Sequence, residues 1–257
     1  MFIPYEMTDL VSIITPLYNG ERFVVATIES VLAQNYQHWE MIVINDGSTD
    51  DSEKIVSEYA VRDTRIKLFS QPNAGSAAAR NNGIRRAMGR YIALLDSDDL
   101  WEPNFLEEQI AFLIEKNAVL VYSSHKRIDE DGNECLKPFI VPERVTYHDL
   151  LKTCSISCLT GLYDSSKFGK IYLDESFHSL RDDYIYWLTI IKKAGEAFGN
   201  QKILASYRMR NNSISSTKRK VIIPQFRVYY QSEKLGFWRS MYYLIQWAWN
   251  GYKKYRV

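Results

Sequence analysis

What most constrains this chain is an alternation, over its first 125 residues, between short apolar runs and segments of helical period. The runs at 10–15, 41–45, 66–70, 91–95 and 119–123 read as strands, and the segments at 22–34, 50–60, 76–86 and 103–116 read as helices. Strands that take turns with helices make βαβ units. The expected fold is therefore α/β: a Rossmann-like, mostly parallel central sheet with helices on both faces. Sheets of that kind bind ligands outside the carboxyl ends of their strands. The loops at 16–21, 46–50, 72–75 and 96–99 then fall on one rim, where together they form a candidate nucleotide site.

The fourth strand stops at three carboxylates in four positions, Asp96-Ser97-Asp98-Asp99. Strand alternation would turn Asp96 and Asp98 to the same side. Like charges that close repel unless a positive group lies between them. The natural candidate is a divalent cation with oxygen ligands and a phosphate beyond it. A purely local reading competes with this one: Asp and Ser at a strand end make turns or cap the next helix, and a helical pattern starts near Pro103.

Past residue 125 the alternation gives way. Asp129-Glu130-Asp131-Gly132-Asn133 signals a turn, 159–163 and 204–209 read as further strands, and 182–193 reads as a helix. Residues 218–251 are mostly helical in pattern, with breaks expected near Pro224 and Gly236. Charge also sets this last part aside. Residues 218–257 hold nine Lys or Arg and a single acid, Glu233, although the whole chain is only +1. A segment so basic suits an acidic partner surface. Cys135, Cys154 and Cys158 are too few for a disulfide framework and suggest a reducing, cytoplasmic compartment. No His or further Cys stands near Cys154 and Cys158, so buried thiols are expected there, not a zinc site. Residues 1–9 are short and carry Glu6 and Asp9, so no secretory leader is expected, and no run has the length of a transmembrane span.

Five pieces follow one another along the chain. They are Pro16-Leu17-Tyr18-Asn19-Gly20-Glu21; Asn45-Asp46-Gly47-Ser48-Thr49-Asp50; Asn73-Ala74-Gly75 with Ala79-Arg80-Asn81 and Gly83; Asp96-Ser97-Asp98-Asp99 with Trp101; and Arg181-Asp182-Asp183-Tyr184 with Trp187. In order and spacing the chain resembles the family 2 glycosyltransferases, over roughly residues 10–215. The resemblance implies the GT-A fold and an inverting, metal-dependent transfer from a nucleotide sugar, in the first instance a UDP-sugar, to a hydroxyl of a glycan. It further implies a polyprenyl-diphosphate-linked acceptor in bacterial surface-polysaccharide synthesis, work at the inner face of the cell membrane, and no nucleic-acid partner. On this basis residues 1–217 form the catalytic domain, with 8–125 holding the donor and 126–217 the acceptor, and 218–257 form a helical C-terminal extension.

Residue by residue, the match assigns Pro16, Tyr18 and Glu21 to the loop around the nucleotide and Asp46 to its uracil or ribose. A carboxylate at a strand end can accept hydrogen bonds from either, and an Asx turn at Asp46 can coexist with that role. Tyr18 offers a flat face to a base, or is an ordinary surface Tyr. Asn73 and Gly75 precede the helix that carries Arg80, whose guanidinium suits a diphosphate or a base carbonyl; a solvated helix Arg is the alternative. Asp98 would hold Mn²⁺ or Mg²⁺, with Asp96 and Ser97 nearer the nucleotide and Asp99 and Trp101 in support. The cation would neutralise the charge that builds on the departing nucleoside diphosphate.

Asp183 is the candidate base for the acceptor hydroxyl. It follows Asp182, where the family more often has Glu. Capping of the next helix is the competing role for either acid, with Arg181 as a local partner. Arg210 stands where relatives commonly carry a His that helps bind metal or diphosphate. A guanidinium cannot ligate a cation, but it can neutralise a diphosphate.

The run 237–249 mixes Trp and Tyr with basic flanks. It suits an anionic membrane surface, or a helix packed on the catalytic domain, and different faces can do both. Two other functions compete. Leu94-Leu95-Asp96-Ser97-Asp98 superficially matches the signature of haloacid-dehalogenase phosphatases, but Leu100 stands where that family has Thr or Val, and the motif is not on the first strand. The other is a nucleotide-sugar-binding protein without catalysis, against which the intact acidic set argues.

Overall fold

The computed structural model describes residues 9–177, 181–210 and 218–254. Its first half is β1 (Val11–Leu17), α1 (Val24–Leu32), β2 (Trp39–Asn45), α2 (Ser52–Arg62), β3 (Ile66–Ser70), α3 (Ser76–Arg86) and β4 (Tyr91–Leu94). The four strands are parallel in the order β3-β2-β1-β4. Alternate residues of each strand serve opposite faces. Ile14, Ile42, Ile44, Ile92 and Leu94 pack with Ala77, Ala79 and Ile84 of α3. Val11, Ile13, Met41, Val43, Tyr91 and Ala93 pack with Ile28 and Val31 of α1 on the other side. Both faces are covered, which explains why the strands read as unbroken apolar runs. Pro16 is tolerated inside a central strand because β4 stops pairing with β1 at Ile14 opposite Leu94, so the missing N–H falls where no partner strand runs.

The second half adds β5 (Leu100–Trp101), α4 (Phe105–Glu115), β6 (Leu120–Ile128), β7 (Glu134–Phe139), β8 (Arg144–Thr146), α5 (Tyr147–Lys152), β9 (Leu162–Asp164), α6 (Asp182–Ala194) and β10 (Glu196–Arg208). Here the sheet becomes mixed. β9 lies antiparallel between β4 and β6, β10 runs parallel to β6, and the two-residue β5 closes the edge antiparallel to β10. The turn signalled at 129–133 joins β6 to β7, with Asp129 Oδ1 accepting from the Asp131 and Asn133 amides. The strand expected at 159–163 is shorter, because a 3-10 turn at Cys158–Thr160 occupies its start. The strand expected at 204–209 begins earlier, at Glu196.

The extension is α7 (Lys218–Arg227), a π turn at Val228–Ser232 and α8 (Phe237–Lys254). Pro224 does not break α7 as expected but lies inside it; the break comes at Gly236, whose φ of 75° is open to glycine. Val228, Tyr229 and Tyr243 join the same core as Tyr184 and Trp187. Glu233, the one acid of the segment, has only 1% of its side chain exposed and bonds to Lys192 at 2.5 Å and to the Tyr147 hydroxyl. Inner and outer faces of α8 therefore differ. Ser240 and Tyr243 are buried, while Trp238, Tyr242, Ile245, Trp249 and Tyr252 are exposed at helical spacing. Among the described residues no helix is long and apolar enough to cross a membrane.

Gly161, just after the 3-10 turn, is required by packing: a Cβ there would lie 2.4 Å from Cη2 of the buried Trp187 ring. Gly161→Ala should destabilise the fold by about 1–3 kcal/mol, read as a lower urea midpoint at unchanged m-value.

Candidate active site

The loops at the carboxyl ends of β1, β2 and β3 are sewn together by their own side chains. Asp46, 3% exposed, accepts from Gln71 Nε2 at 2.7 Å and from the Ala74 and Gly75 amides at 2.9 and 2.8 Å. It holds the 71–75 loop against β2. The Asx turn expected at Asp46 is not made there: Asn45 Oδ1 accepts from the Ser48 amide three residues on, and the Asx turn of this loop is at Asp50, whose Oδ1 accepts from the Ser52 amide at 3.1 Å. Gly47 is required by close approach, since its φ is 74° and a Cβ would meet the Asn73 amide nitrogen at 3.0 Å. Gly75, at φ 90°, starts α3. Glu21 accepts from the Asp51 amide at 2.9 Å, its own amide donates to Asp50, and Gly20 donates to Ser52 Oγ at 2.8 Å. Glu21 thus knits two loops together. Tyr18 stays half in solvent and Asn73 is exposed, while Pro16 is half-buried at the strand end. Ser97 abuts this loop: a Cβ on Gly20 would lie 3.3 Å from its Oγ.

A buried guanidinium joins this rim to the second half of the chain. Arg80, 5% exposed, donates from one Nη to Asp96 at 2.5 Å and from the other to Asp182 at 2.8 Å. Burial works against its charge, but Asp96, Asp182 and Asp183 outweigh burial and raise its pKa well above the ordinary value. Asp182 also accepts from Ser76 Oγ at 3.1 Å. Neither acid caps α6: the helix begins on Arg181, in the left-handed region at φ 68°, with no side-chain cap. Asp183, half-buried beside this pair, has its carboxyl pushed up to about 6, first by burial and then by Asp182, against the pull of Arg80 and Arg181.

Asp96 and Asp98 come together through a turn, not through strand alternation. β4 ends at Leu94, and the Asp99 amide bonds back to the Asp96 carbonyl at 3.1 Å. None of the three acids caps α4, whose N-cap residue is Asn104. Asp99 is 1% exposed and accepts from the Arg208 amide at 2.8 Å, while the Arg208 guanidinium holds the carbonyls of Asp98, Asp129 and Glu130. Burial, then Asp98 and Asp96, push the Asp99 carboxyl well up. Arg210 reaches Asp98 at 3.2 Å. Burial and Asp96 push the Asp98 carboxyl up, and Arg210 opposes them. Trp101 is buried in the core, stacked on Phe105 at 4.1 Å with its Nε1 donating to the Leu159 carbonyl. It supports the turn from below and presents no open face to an acceptor.

The residues fit a hard divalent cation. Two carboxylates that repel each other on one turn are the usual protein share for Mg²⁺ or Mn²⁺, which take their other oxygens from phosphates and water. Among the described residues no group of three His, Cys, Asp or Glu side chains completes such a site unaided. The sequence does not mark Arg208, Ser76 and Gln71 as site residues, and it marks Cys158 only as a buried thiol. Arg208 was within reach, since it is the last residue of β10 and stands two residues before Arg210. Cys158 is buried beside Arg80, and its thiol is pushed well up chiefly by burial. No local pattern places it there.

Comparison with known proteins identifies relatives of the chain. The chain is 39% identical over 246 residues to a putative teichuronic acid biosynthesis glycosyltransferase, TuaG, of Bacillus subtilis, covering 95% of this chain and 97% of that one. It is 38% identical over 249 residues to the Escherichia coli UDP-Glc:alpha-D-GlcNAc-diphosphoundecaprenol beta-1,3-glucosyltransferase WfgD, covering 96% and 95%. Among solved structures, Staphylococcus aureus TarS residues 1–349 in complex with UDP-GlcNAc superposes with a TM-score of 0.69 at 21% identity, over 86% of this chain and 65% of that one. The mannosyltransferase PcManGT of Pyrobaculum calidifontis, in complex with GDP-Man and Mn²⁺, gives 0.65 at 16% identity, over 88% and 65%. These structures share the GT-A fold. The model of Glycosyl transferase family 2 matches residues 12–181, and the chain belongs to that family of transferases.

Proposed function

We propose that this chain is an inverting, cation-dependent glycosyltransferase that moves a sugar from a UDP-sugar to a hydroxyl of a polyprenyl-diphosphate-linked glycan in bacterial surface-polysaccharide synthesis. One observation carries the reading: the Arg80 guanidinium binds Asp96 of the donor motif and Asp182 of the base motif at once. Residues 8–125 then hold the donor and 126–217 receive the acceptor. Tyr18, Asn73 and the backbone tied by Asp46 face the nucleoside, Glu21 and Ser97 brace that loop, and Asp98 would hold Mn²⁺ or Mg²⁺. When bound, the ion supplies positive charge to the leaving nucleoside diphosphate. Arg210 can donate to the same diphosphate. The Asp183 carboxylate takes the proton of the acceptor hydroxyl as it attacks the anomeric carbon from the face opposite the leaving group, so an α-linked donor yields a β product. The lipid-linked acceptor rests on the name of the WfgD relative, and the donor on that name and on the UDP-GlcNAc-bound neighbour.

Asp183→Asn should lower kcat by about 10²–10⁴-fold while UDP affinity holds; an active variant would remove the base assignment. Protonation of a carboxyl that titrates near 6 abolishes the base, so kcat/KM should fall about tenfold per pH unit below about 6 and level off above it. Asp98→Ala should make UDP binding, followed by calorimetry, insensitive to Mn²⁺ or EDTA.

The same reading includes peripheral contact of 218–257 with an anionic membrane. Its only acid is buried, its outer face is aromatic, and Lys234 and Arg239 are exposed. Joint Trp238→Glu and Trp249→Glu substitution should abolish cosedimentation with phosphatidylglycerol vesicles and leave UDP affinity unchanged; undiminished sedimentation would refute the contact.

A further inference from the structure

The extension reaches the catalytic rim at one point. The Arg181 guanidinium lies over the ring of Trp247, 5.0 Å from its centroid. Among the described residues Arg181 Nε is buried without a hydrogen-bond acceptor, and the ring face lies against this guanidinium. Arg181 is also the residue from which α6 starts. Its carbonyl accepts from the Ile185 amide at 3.0 Å, and its φ of 68° is a left-handed conformation that a non-glycine residue keeps where its surroundings impose it. Asp182 and Asp183 are the next two residues, in the first turn of that helix.

Trp247 is itself firmly placed. It shares the inner face of α8 with Ser240, Tyr243 and Asn250, at helical spacing. Tyr243 is buried and its hydroxyl meets His148 Nδ1 at 3.1 Å, and Asn250 Nδ2 donates to the Lys152 carbonyl at 3.1 Å. Both partners lie on α5, whose Leu150 carbonyl accepts from the Tyr184 hydroxyl of α6 at 2.8 Å. Helix α8 is thus referenced to the same frame as the base.

We propose that Trp247 is a positioning residue for the acceptor-side chemistry: its ring holds Arg181, and through Arg181 it sets the backbone from which Asp182 and Asp183 project. This rests on the assignment of Asp183 as base. It gives the extension a part in catalysis separate from its outer, lipid-facing side. The charged and titratable groups around Asp183 among the described residues include Asp182, Arg80, Arg181, Asp96 and the buried Cys158 thiol, and Arg80 and Arg181 are the cations that favour its ionised form.

The test is a double-mutant cycle in the full chain with kcat, UDP affinity and the pH profile as readouts. Trp247→Ala should lower kcat about tenfold with UDP affinity kept, and should move the acid limb of the profile to higher pH as Arg181 loses its place. Trp247→Phe, which keeps a π face, should restore most of both. Arg181→Gln should reproduce the alanine effect, and Trp247→Ala added to it should have little further effect. Additive losses, a Phe variant as impaired as Ala, or an unmoved pH limb would each overturn the proposal. An Asp183→Asn enzyme that stays active would instead overturn the base assignment beneath it.

Discussion

The buried Arg80 guanidinium is the interaction on which the rest of the structure depends. Charges taken out of water are tolerated only when paired and hydrogen-bonded. Arg80 meets that condition with two carboxylates from different parts of the chain, Asp96 on the turn after β4 and Asp182 at the start of α6. Pulling either carboxylate away would leave buried guanidinium donors unsatisfied, so the turn after β4 and the start of α6 cannot drift apart cheaply. The same neighbours shape the chemistry. Burial and then Asp182 raise the carboxyl of Asp183 while Arg80 and Arg181 lower it, and the outcome is a group that is ionised at neutral pH yet basic enough to accept a proton.

Much of this was legible in the sequence, for identifiable reasons. Apolar runs and helical periods are local, so the strands and helices of the first half could be placed, and with them the rim that carries Asp46, Arg80 and the Asp96–Asp99 turn. Links across long separations were not legible. Nothing local says that Asp46 reaches the Ala74 and Gly75 amides, that Asp182 reaches Arg80, or that Trp101 turns into the core. Turn geometry was legible only in part. Asp50 makes the Asx turn in place of Asp46, and a back-bonded turn brings Asp96 and Asp98 together in place of strand alternation. Pro224 misled because a proline inside a helix removes one hydrogen bond but need not end it when the flanks are held.

The extension shows how one helix can serve two environments. The compositional excess of basic and aromatic residues was plain from the sequence, but its division into faces was not. Glu233, which looked like a stray acid in a basic segment, turns out to be buried between Lys192 and Tyr147. Burying it leaves the exposed basic residues of the segment without an opposing carboxylate of their own. The inner face, meanwhile, contributes Tyr229 and Tyr243 to the core that also holds Tyr184 and Trp187.

The sheet order carries one more consequence. β4 lies in the middle of the sheet and β5 at its edge, with β9, β6 and β10 between them, yet only residues 95–99 connect the two. The acidic turn is therefore a strap drawn across the ends of three intervening strands and fastened at both sides. Its length is constrained as strictly as its composition: a residue gained or lost there would shift either the β5 register on β10 or the reach of the carboxylates. The spacing of the acids is thus a property of the sheet as much as of the motif.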